Sequence, residues 1–310
     1  MIMQQIKLTV IGSDRFSEFI HAWEDAFSRK LDTQIYNWIF DGKNIMYAAM
    51  LDGDIAAGYC LYPFEAIWQG EKKTALLCNN VFVVPKHQGK HLFVKLGKLA
   101  LDEAGRKGHG HVAYGIPNKL ALPGHKRVGW GTQPPIRFFA KQRAEAPRFL
   151  PDNWQKGTLS QIKKDDIERC SRESSKNRSF SIIKTAQFVH WRFESKPGTH
   201  YWFGFKYRGS TLLAYCVCKF YEPGNVLHFI DIDGIDSNSI SQLAMEAEHI
   251  PETFEKLNIW GSTAKIKVFE NLGYCPSDVE DNLIFINPKS MMPLHLSGDF
   301  NISLADNDVY

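Results

Sequence analysis

The stretch "VPKHQGKHLFVKL", residues 84–96, sets a basic, glycine-bearing turn between an apolar run and a helix-like pattern. Two readings fit. The turn is a plain surface connection, or it is an anion cradle, because backbone N–H groups at a helix start point outward unpaired and the helix dipole adds partial positive charge there. Lys86, Gln88, Gly89, Lys90 and His91 are the residues such a cradle would use. A second group of side chains lies far along the chain. Trp191, Arg192 and Tyr201, with Trp202, have the types that stack on a base or sugar and pair with phosphate. The competing reading makes Trp191 core, because Trp38 repeats it.

Other chemistries find less support. No His, Cys or Asp cluster has metal-ligand spacing, and Asp231, Asp233 and Asp236 lack the glutamate twelve positions on that a calcium loop requires, so no metal is expected. The six cysteines show no C-x-x-C pair and read as free thiols, with Cys216 and Cys218 on one side of a strand. A net charge of +3 over 310 residues suits small anionic ligands and argues against nucleic acid as a partner. The start of the sequence has no basic segment followed by an apolar core. No apolar run approaches the ~18 residues that cross a bilayer. A cytoplasmic protein without membrane insertion is the expectation, and a homodimer is compatible with it.

The positioning elements come in two sets. "YNWIFDGKNIMYAAMLDGDIAAGYCL" (36–61) and "VHWRFESKPGTHYWFGFKYRGSTLLAYCV" (189–217) share an aromatic W-x-F, a polar turn, a strand, a glycine-bearing turn and a strand with Tyr-Cys. Trp38 and Trp191 stand 153 positions apart (191 − 38), and Tyr59 and Tyr215 stand 156 apart (215 − 59). "HKRVGWG" (125–131) and "FENLGYC" (269–275) form a further echo. The length admits two domains of about 150 residues. The expected boundaries are 1–145 and 158–310, with a linker in 140–160.

In the first copy, alternation predicts a strand over 5–11. Ser13 or Asp14 can cap a helix to Phe27, with Phe16, Phe19, Ile20 and Trp23 on one face. Hairpin strands follow around 45–51 and 55–63, with Asp-Gly turning the chain. "ALLCNNVFVVP" (75–85) reads as a central strand ended by Pro85. The next helix carries Leu92, Leu96, Leu99 and Ala100 on one stripe and ends near Gly105 or Gly108. A strand at 111–117 and a short helix at 118–128 complete the copy. The second copy keeps the frame and is expected to lose the central element, having no basic glycine turn after "VLHFIDIDG" (226–234).

At this point the chain resembles the GNAT acyltransferases, which transfer acyl groups from coenzyme A to amines. "VFVVPKHQGKHL" resembles the family's strand, proline and pyrophosphate turn, Q/R-x-x-G-x-G/A, with His91 where glycine or alanine is usual. "NKLALPGHKRVGW" matches its N-x-x-A and aromatic-x-K-x-G-F segment through Asn118, Ala121, Arg127, Gly129 and Trp130. The resemblance implies an α/β fold (α+β, mixed sheet) of two tandem GNAT-like domains, the second degenerate. It implies an acyl-CoA co-substrate, acetyl-CoA or another short acyl-CoA, held by Val83, Val84, Lys86, Gln88, Gly89, Lys90, His91, Leu92 and Asn118. His125 stands where the family commonly has a tyrosine that protonates the departing thiolate, and an ordinary imidazole pKa would suit that role. Where the family often has a glutamate base this chain has Asn79 and Asn80, so the base is either absent or placed elsewhere; deprotonation can then run through water, leaving catalysis, with Asn80, mostly to positioning. "HWRFESKPGTHYW" also resembles tandem members of bacterial surface-sugar pathways, which acylate the amine of nucleotide-linked amino sugars. That resemblance implies the same acceptor here, for surface polysaccharide synthesis, with Trp191, Arg192 and Tyr201 touching it. A peptide or protein amine, or a ligand-binding protein without turnover, are the alternatives.

Overall fold

The computed structural model describes residues 7–41, 43–144, 148–261 and 265–307. The expected boundary at 145, the end at 310 and the first residues of the 5–11 strand lie outside them. Along the chain run β1 (Lys7–Val10), α1 (Phe16–Phe27), α2 (Thr33–Ile39), β2 (Ile45–Leu51), β3 (Asp54–Trp68) and β4 (Glu71–Val83). Then come α3 (Leu92–Arg106), β5 (Val112–Gly115), α4 (Leu122–Val128), β6 (Gly131–Thr132), β7 (Ile136–Gln142) and β8 (Trp154–Lys156). The remainder holds α5 (Lys164–Ser175), β9 (Phe180–Ile182), α6 (Ala186–Val189), β10 (Trp202–Arg208), β11 (Thr211–Tyr221) and β12 (Val226–Gly234). It ends with α7 (Ser237–Glu246), β13 (Lys256–Trp260), α8 (Ile266–Asn271), β14 (Cys275–Asp281) and β15 (Ile284–Asn287).

Two compact units form, and neither is one stretch of sequence. The first takes the chain to Phe64, then Lys73–Pro134 and Asn282–His295; the second takes Glu65–Lys72, Pro135–Asp281 and Leu296 onward. The first unit's sheet runs β1-β2-β3-β4-β5-β15 and the second's runs β14-β7-β13-β12-β11-β10-β8. In each, one parallel pair (β4 with β5, β12 with β13) is continued by an antiparallel strand from the other half of the sequence, β15 or β7. Consecutive domains of 1–145 and 158–310 do not include this interleaving, because a strand's hydrophobic pattern does not say which sheet receives it.

Local chemistry explains the first unit's elements. Asp52 and Gly53, both at positive φ, make the two-residue β2–β3 turn that Asp-Gly favours. Phe19, Ile20 and Trp23 of α1 are buried as expected, but neither Ser13 nor Asp14 caps it; a 3₁₀ turn over Ser13–Arg15 leads into the helix instead. In α3, Leu92, Leu96, Ala100, Leu101 and Ala104 face the core, whereas Leu99 is 41% exposed and off the expected stripe. One helical turn carries Leu99 past the face that Leu96 and Ala100 define. Trp38 sits in α2, a helix the sequence reading lacks, and its counterpart Trp191 sits in the helical turn that follows α6. The repeated W-x-F therefore closes a short helix in both copies.

The second unit keeps the central element it was expected to lose. β12 pairs in parallel with β13 as β4 does with β5; only the basic turn is missing, and Asp236 caps α7 in its place. The strand over 226–234 is as expected, but its place as the central one was not read, because Asp231 and Asp233 interrupt its apolar run; both are buried in hydrogen bonds, Tyr215 Oη donating to Asp231 at 2.8 Å and Asn301 Nδ2 to Asp233 at 2.9 Å. Cys216 and Cys218 lie with sulfurs 3.4 Å apart in this core, and none of the six cysteines is in a disulfide. Among the described residues no helix is long and apolar enough to cross a membrane.

Candidate active site

In the first unit β4 and β5 part company. Their pairing ends at Cys78↔Gly115, while β4 runs on to Val83. Asn80 adopts φ 45°, which bends the strand where the pairing has stopped. Its Oδ1 accepts a 3.0 Å hydrogen bond from Trp23 Nε1 of α1. Asn79 Oδ1 and Asn80 Nδ2 are buried and have no hydrogen-bond partner among the described residues. Neither amide can take a proton.

Beyond β4 the chain makes a 3₁₀ turn at Pro85–His87, reverses through Gly89 at φ 79° and enters α3 from His91 at φ 59°. A Cβ on Gly89 would meet nothing within 4 Å, so the glycine serves the backbone angle and leaves the space before it open. No side chain caps α3, and the N–H groups of Gly89, Lys90 and His91 have no acceptor among the described residues. With the first turn of α3 they form a row of outward donors.

These donors border a cleft of about 380 Å³. One wall is Val83, His87, Gln88, Gly89, His91, Leu92, Phe93 and Val94; the other is Leu120, Ala121, Pro123, Gly124 and Arg127 of α4 and its approach. No carboxylate lines it, and Arg127 makes no ion pair among the described residues. An anion with an apolar portion fits this wall chemistry: amide donors and a guanidinium for charge, Phe93, Leu120 and Pro123 for carbon.

Val83, Gln88, Gly89, His91 and Leu92 thus stand together in the cleft. Val84 is buried, donating its N–H to Ala56 at 3.0 Å, and Lys86 reaches away to Asp54 at 3.1 Å. Lys90 Nζ lies 3.2 Å from His87 Nδ1, and exposed Asn118 accepts the Ala121 N–H at 2.8 Å, shaping the entry to α4. Sequence reasoning named Arg127 only as part of the family motif and gave no place in the cleft to His87, Phe93 or Leu120. An exposed leucine four positions before a helical glycine was the available signal for the second wall.

His125 sits behind the cleft, 4% exposed, with Phe93 and Trp130 edge-on at 5.0 and 5.6 Å and Tyr59 at 6.3 Å. Burial among these rings lowers its pKa to about 4. The near-neutral pKa on which an acid role rested does not hold; the ring is neutral at neutral pH. Trp191, Arg192 and Tyr201 lie in the interior of the second unit, Arg192 at 0% and Tyr201 at 1% exposure. Tyr201 packs edge-on against Phe193 at 5.5 Å, and Arg192 Nη2 donates to the Leu304 carbonyl at 3.4 Å. A sugar nucleotide has no access to side chains so enclosed.

The second unit repeats the splay. β12 and β13 pair only to Phe229↔Ile259, and β12 continues to Gly234. Here the gap is filled: Ile302, Ser303 and Leu304 line the remaining space of about 10 Å³ with Asp231, Trp260 and Lys265. Buried Lys184 and Asp306, 2.6 Å apart, fasten that segment.

Residues 8–133 match the model of the Acetyltransferase (GNAT) domain. No curated protein matches the chain. A conserved Enterococcus faecalis V583 protein, described as a probable N-acyltransferase, superposes with TM-score 0.73 at 11% identity, covering 93% of this chain and 73% of that one. A GCN5-related N-acetyltransferase from Anabaena variabilis gives TM-score 0.73 at 10% identity over 92% and 73%. Saccharomyces cerevisiae N-myristoyltransferase with bound myristoyl-CoA gives 0.60 at 9% identity over 93% and 82%. The fold is that of tandem GNAT-like domains, and residues 8–133 match the GNAT acetyltransferase domain.

Proposed function

We propose that the cleft at residues 83–94 and 120–127 holds acyl-CoA and that its acyl group passes to the amine of a nucleotide-linked amino sugar. The observation carrying the first part is the row of outward amides from Gly89 to the first turn of α3, facing a carboxylate-free cleft with Arg127 on its far wall. The coenzyme supplies an acyl group activated as a thioester. This chain's residues then bind and orient. Amides and Arg127 hold the phosphates, and Phe93, Leu120 and Pro123 cover carbon. The β4–β5 splay leaves backbone groups of residues 79–83 open toward the reacting end. Asn79 and Asn80 cannot take the amine's proton and His125, its pKa lowered to about 4, is a weak base, so in this reading the proton leaves to water and coenzyme A departs as the thiolate. Catalysis then comes from positioning.

One coenzyme per chain is the corollary, since Ile302–Leu304 fill the second unit's splay. The acceptor rests on the resemblance to surface-sugar enzymes. A peptide amine is the second reading, favoured by the likeness to N-myristoyltransferase over 93% of this chain. A thiol-release assay with acetyl-CoA decides, comparing a nucleotide-linked amino sugar, the free amino sugar and a lysine peptide at equal concentration. A remote handle lowers the barrier only when attached, so the nucleotide-linked sugar should react far faster. Equal rates with free and linked sugar remove the handle; turnover of the peptide alone moves the protein to the second reading.

A further inference from the structure

The second unit carries a row of side chains that nothing above uses. Strand register pairs Lys219 of β11 with His228 of β12, and His228 with Asn258 of β13. Directly paired residues point to one face of a sheet, as do residues two apart along a strand. Tyr221 and Lys256, which both register with Val226, therefore join the same face one row along. The alternate residues, Leu227, Phe229, Leu257 and Ile259, are in the core cluster, so this row occupies the opposite face. Ring contacts agree: Tyr221 and Phe138 meet His228 edge-on at 5.9 and 6.1 Å.

The charges acting on His228 share one sign, those of Lys256 and Lys219. Neither Lys219 nor Lys256 makes an ion pair among the described residues. Lys219 is half-buried, and its pKa is lowered by that burial and by the Arg192 guanidinium. His228 is held to about 4 by burial and by Lys256 and Lys219. Cations gathered on a partly dehydrated face repel one another, and an anion relieves the repulsion. Tyr221, 47% exposed at the end of the row, offers a ring face beside them. Asn258 Oδ1, buried without a hydrogen-bond partner among the described residues, adds a directed acceptor.

We propose that the Lys219–His228–Asn258 row, with Lys256 and Tyr221, binds a nucleoside diphosphate, the phosphates on the two lysines and the base on the tyrosine ring. It rests on the acceptor reading, since a nucleotide-linked amino sugar carries such a diphosphate. Base–aromatic stacking tolerates any base, so the probes are UDP, dTDP and GDP, titrated calorimetrically into protein saturated with coenzyme A to block the first unit's cleft. At least one should bind at one equivalent. Lys219→Met with Lys256→Met should weaken it tenfold or more while coenzyme affinity and melting temperature stay as in the wild type. Tyr221→Ala should weaken the nucleotide and leave inorganic pyrophosphate unaffected. No nucleotide binding, or undiminished binding by the double variant, overturns the site. Nucleotide binding as described, with no turnover of any nucleotide-linked amino sugar, keeps the site and removes the acceptor reading. Turnover with an unchanged KM in the double variant keeps that reading and removes the site.

Discussion

Trp23 Nε1 donates to Asn80 Oδ1 at 3.0 Å, joining α1 to the β4 residue whose backbone turns to φ 45° where β4 leaves β5. The bond links a helix to the bend that opens the splay. Trp23→Phe removes the donor and should cost about 1 kcal/mol, read as a drop in melting temperature. Asn80→Val should cost more, since a β-branched residue is poorly suited to positive φ, while Asn80→Gly keeps the bend and loses only the side-chain bond. If thermal melts rank valine no worse than glycine, the bend is not held by Asn80.

At the turn, two substitutions should act in opposite directions. Gly89→Glu puts a negative side chain beside the outward amides and should abolish measurable coenzyme A binding in calorimetry, with a fold cost of about 1 kcal/mol for the φ of 79°. His91→Gly relieves a non-glycine residue at φ 59° and should raise stability by about 1 kcal/mol. Unchanged coenzyme affinity in Gly89→Glu removes the cradle.

His125 gives a pH signature whose sign follows from its burial. Its folded pKa of about 4 lies below the ordinary imidazole value, so the unfolded chain binds the extra proton first as pH falls. Its contribution is complete above about pH 6.5 and is lost as pH falls toward 4, at a slope of about 1.4 kcal/mol per pH unit. His228 adds a like loss in the second unit. His125→Phe should flatten part of this acid limb in urea denaturation. The pH profile of kcat should show no ionisation near 6.5 attributable to His125, and one that vanishes in His125→Phe would restore its acid role.

Much of this was legible in residue types. The duplicated W-x-F and Tyr-Cys frames predicted two copies, and Asp-Gly predicted its turn, because local chemistry dictates both. The cleft's first wall was legible for the same reason: glycine, proline and a helix start have fixed backbone consequences. The second wall was less so, since Leu120 and Arg127 reveal themselves only when α4 is set against α3. His125 shows the limit most clearly. Its position came from the family resemblance, yet its pKa depends on Phe93 and Tyr59 arriving from distant parts of the chain to enclose it with neighbouring Trp130. β12 was legible as a strand but not as the central one, because Asp231 and Asp233 interrupt the apolar run of a doubly covered strand until their buried partners are known.

A buried ion pair helps to fasten the segment that fills the splay of the second unit. Lys184 Nζ meets Asp306 Oδ1 at 2.6 Å with both side chains almost wholly enclosed, and Asp306 also closes a capping box with Ser303. Those contacts hold Ile302 and Leu304 at 1% and 0% exposure. Removing one partner strands the other charge, so Asp306→Ala should destabilise the protein by about 3–5 kcal/mol. Replacing both, Lys184→Met with Asp306→Leu, removes the desolvation cost along with the attraction and should recover most of that loss. Urea denaturation of the two variants gives the comparison, and equal destabilisation would mean that the pair is not what fastens the segment. The second unit also lacks the basic glycine turn, so freeing its splay supplies no phosphate cradle. Coenzyme A should therefore still bind at one equivalent per chain in every variant that remains folded; a second equivalent in Asp306→Ala would show that the segment alone had been excluding it.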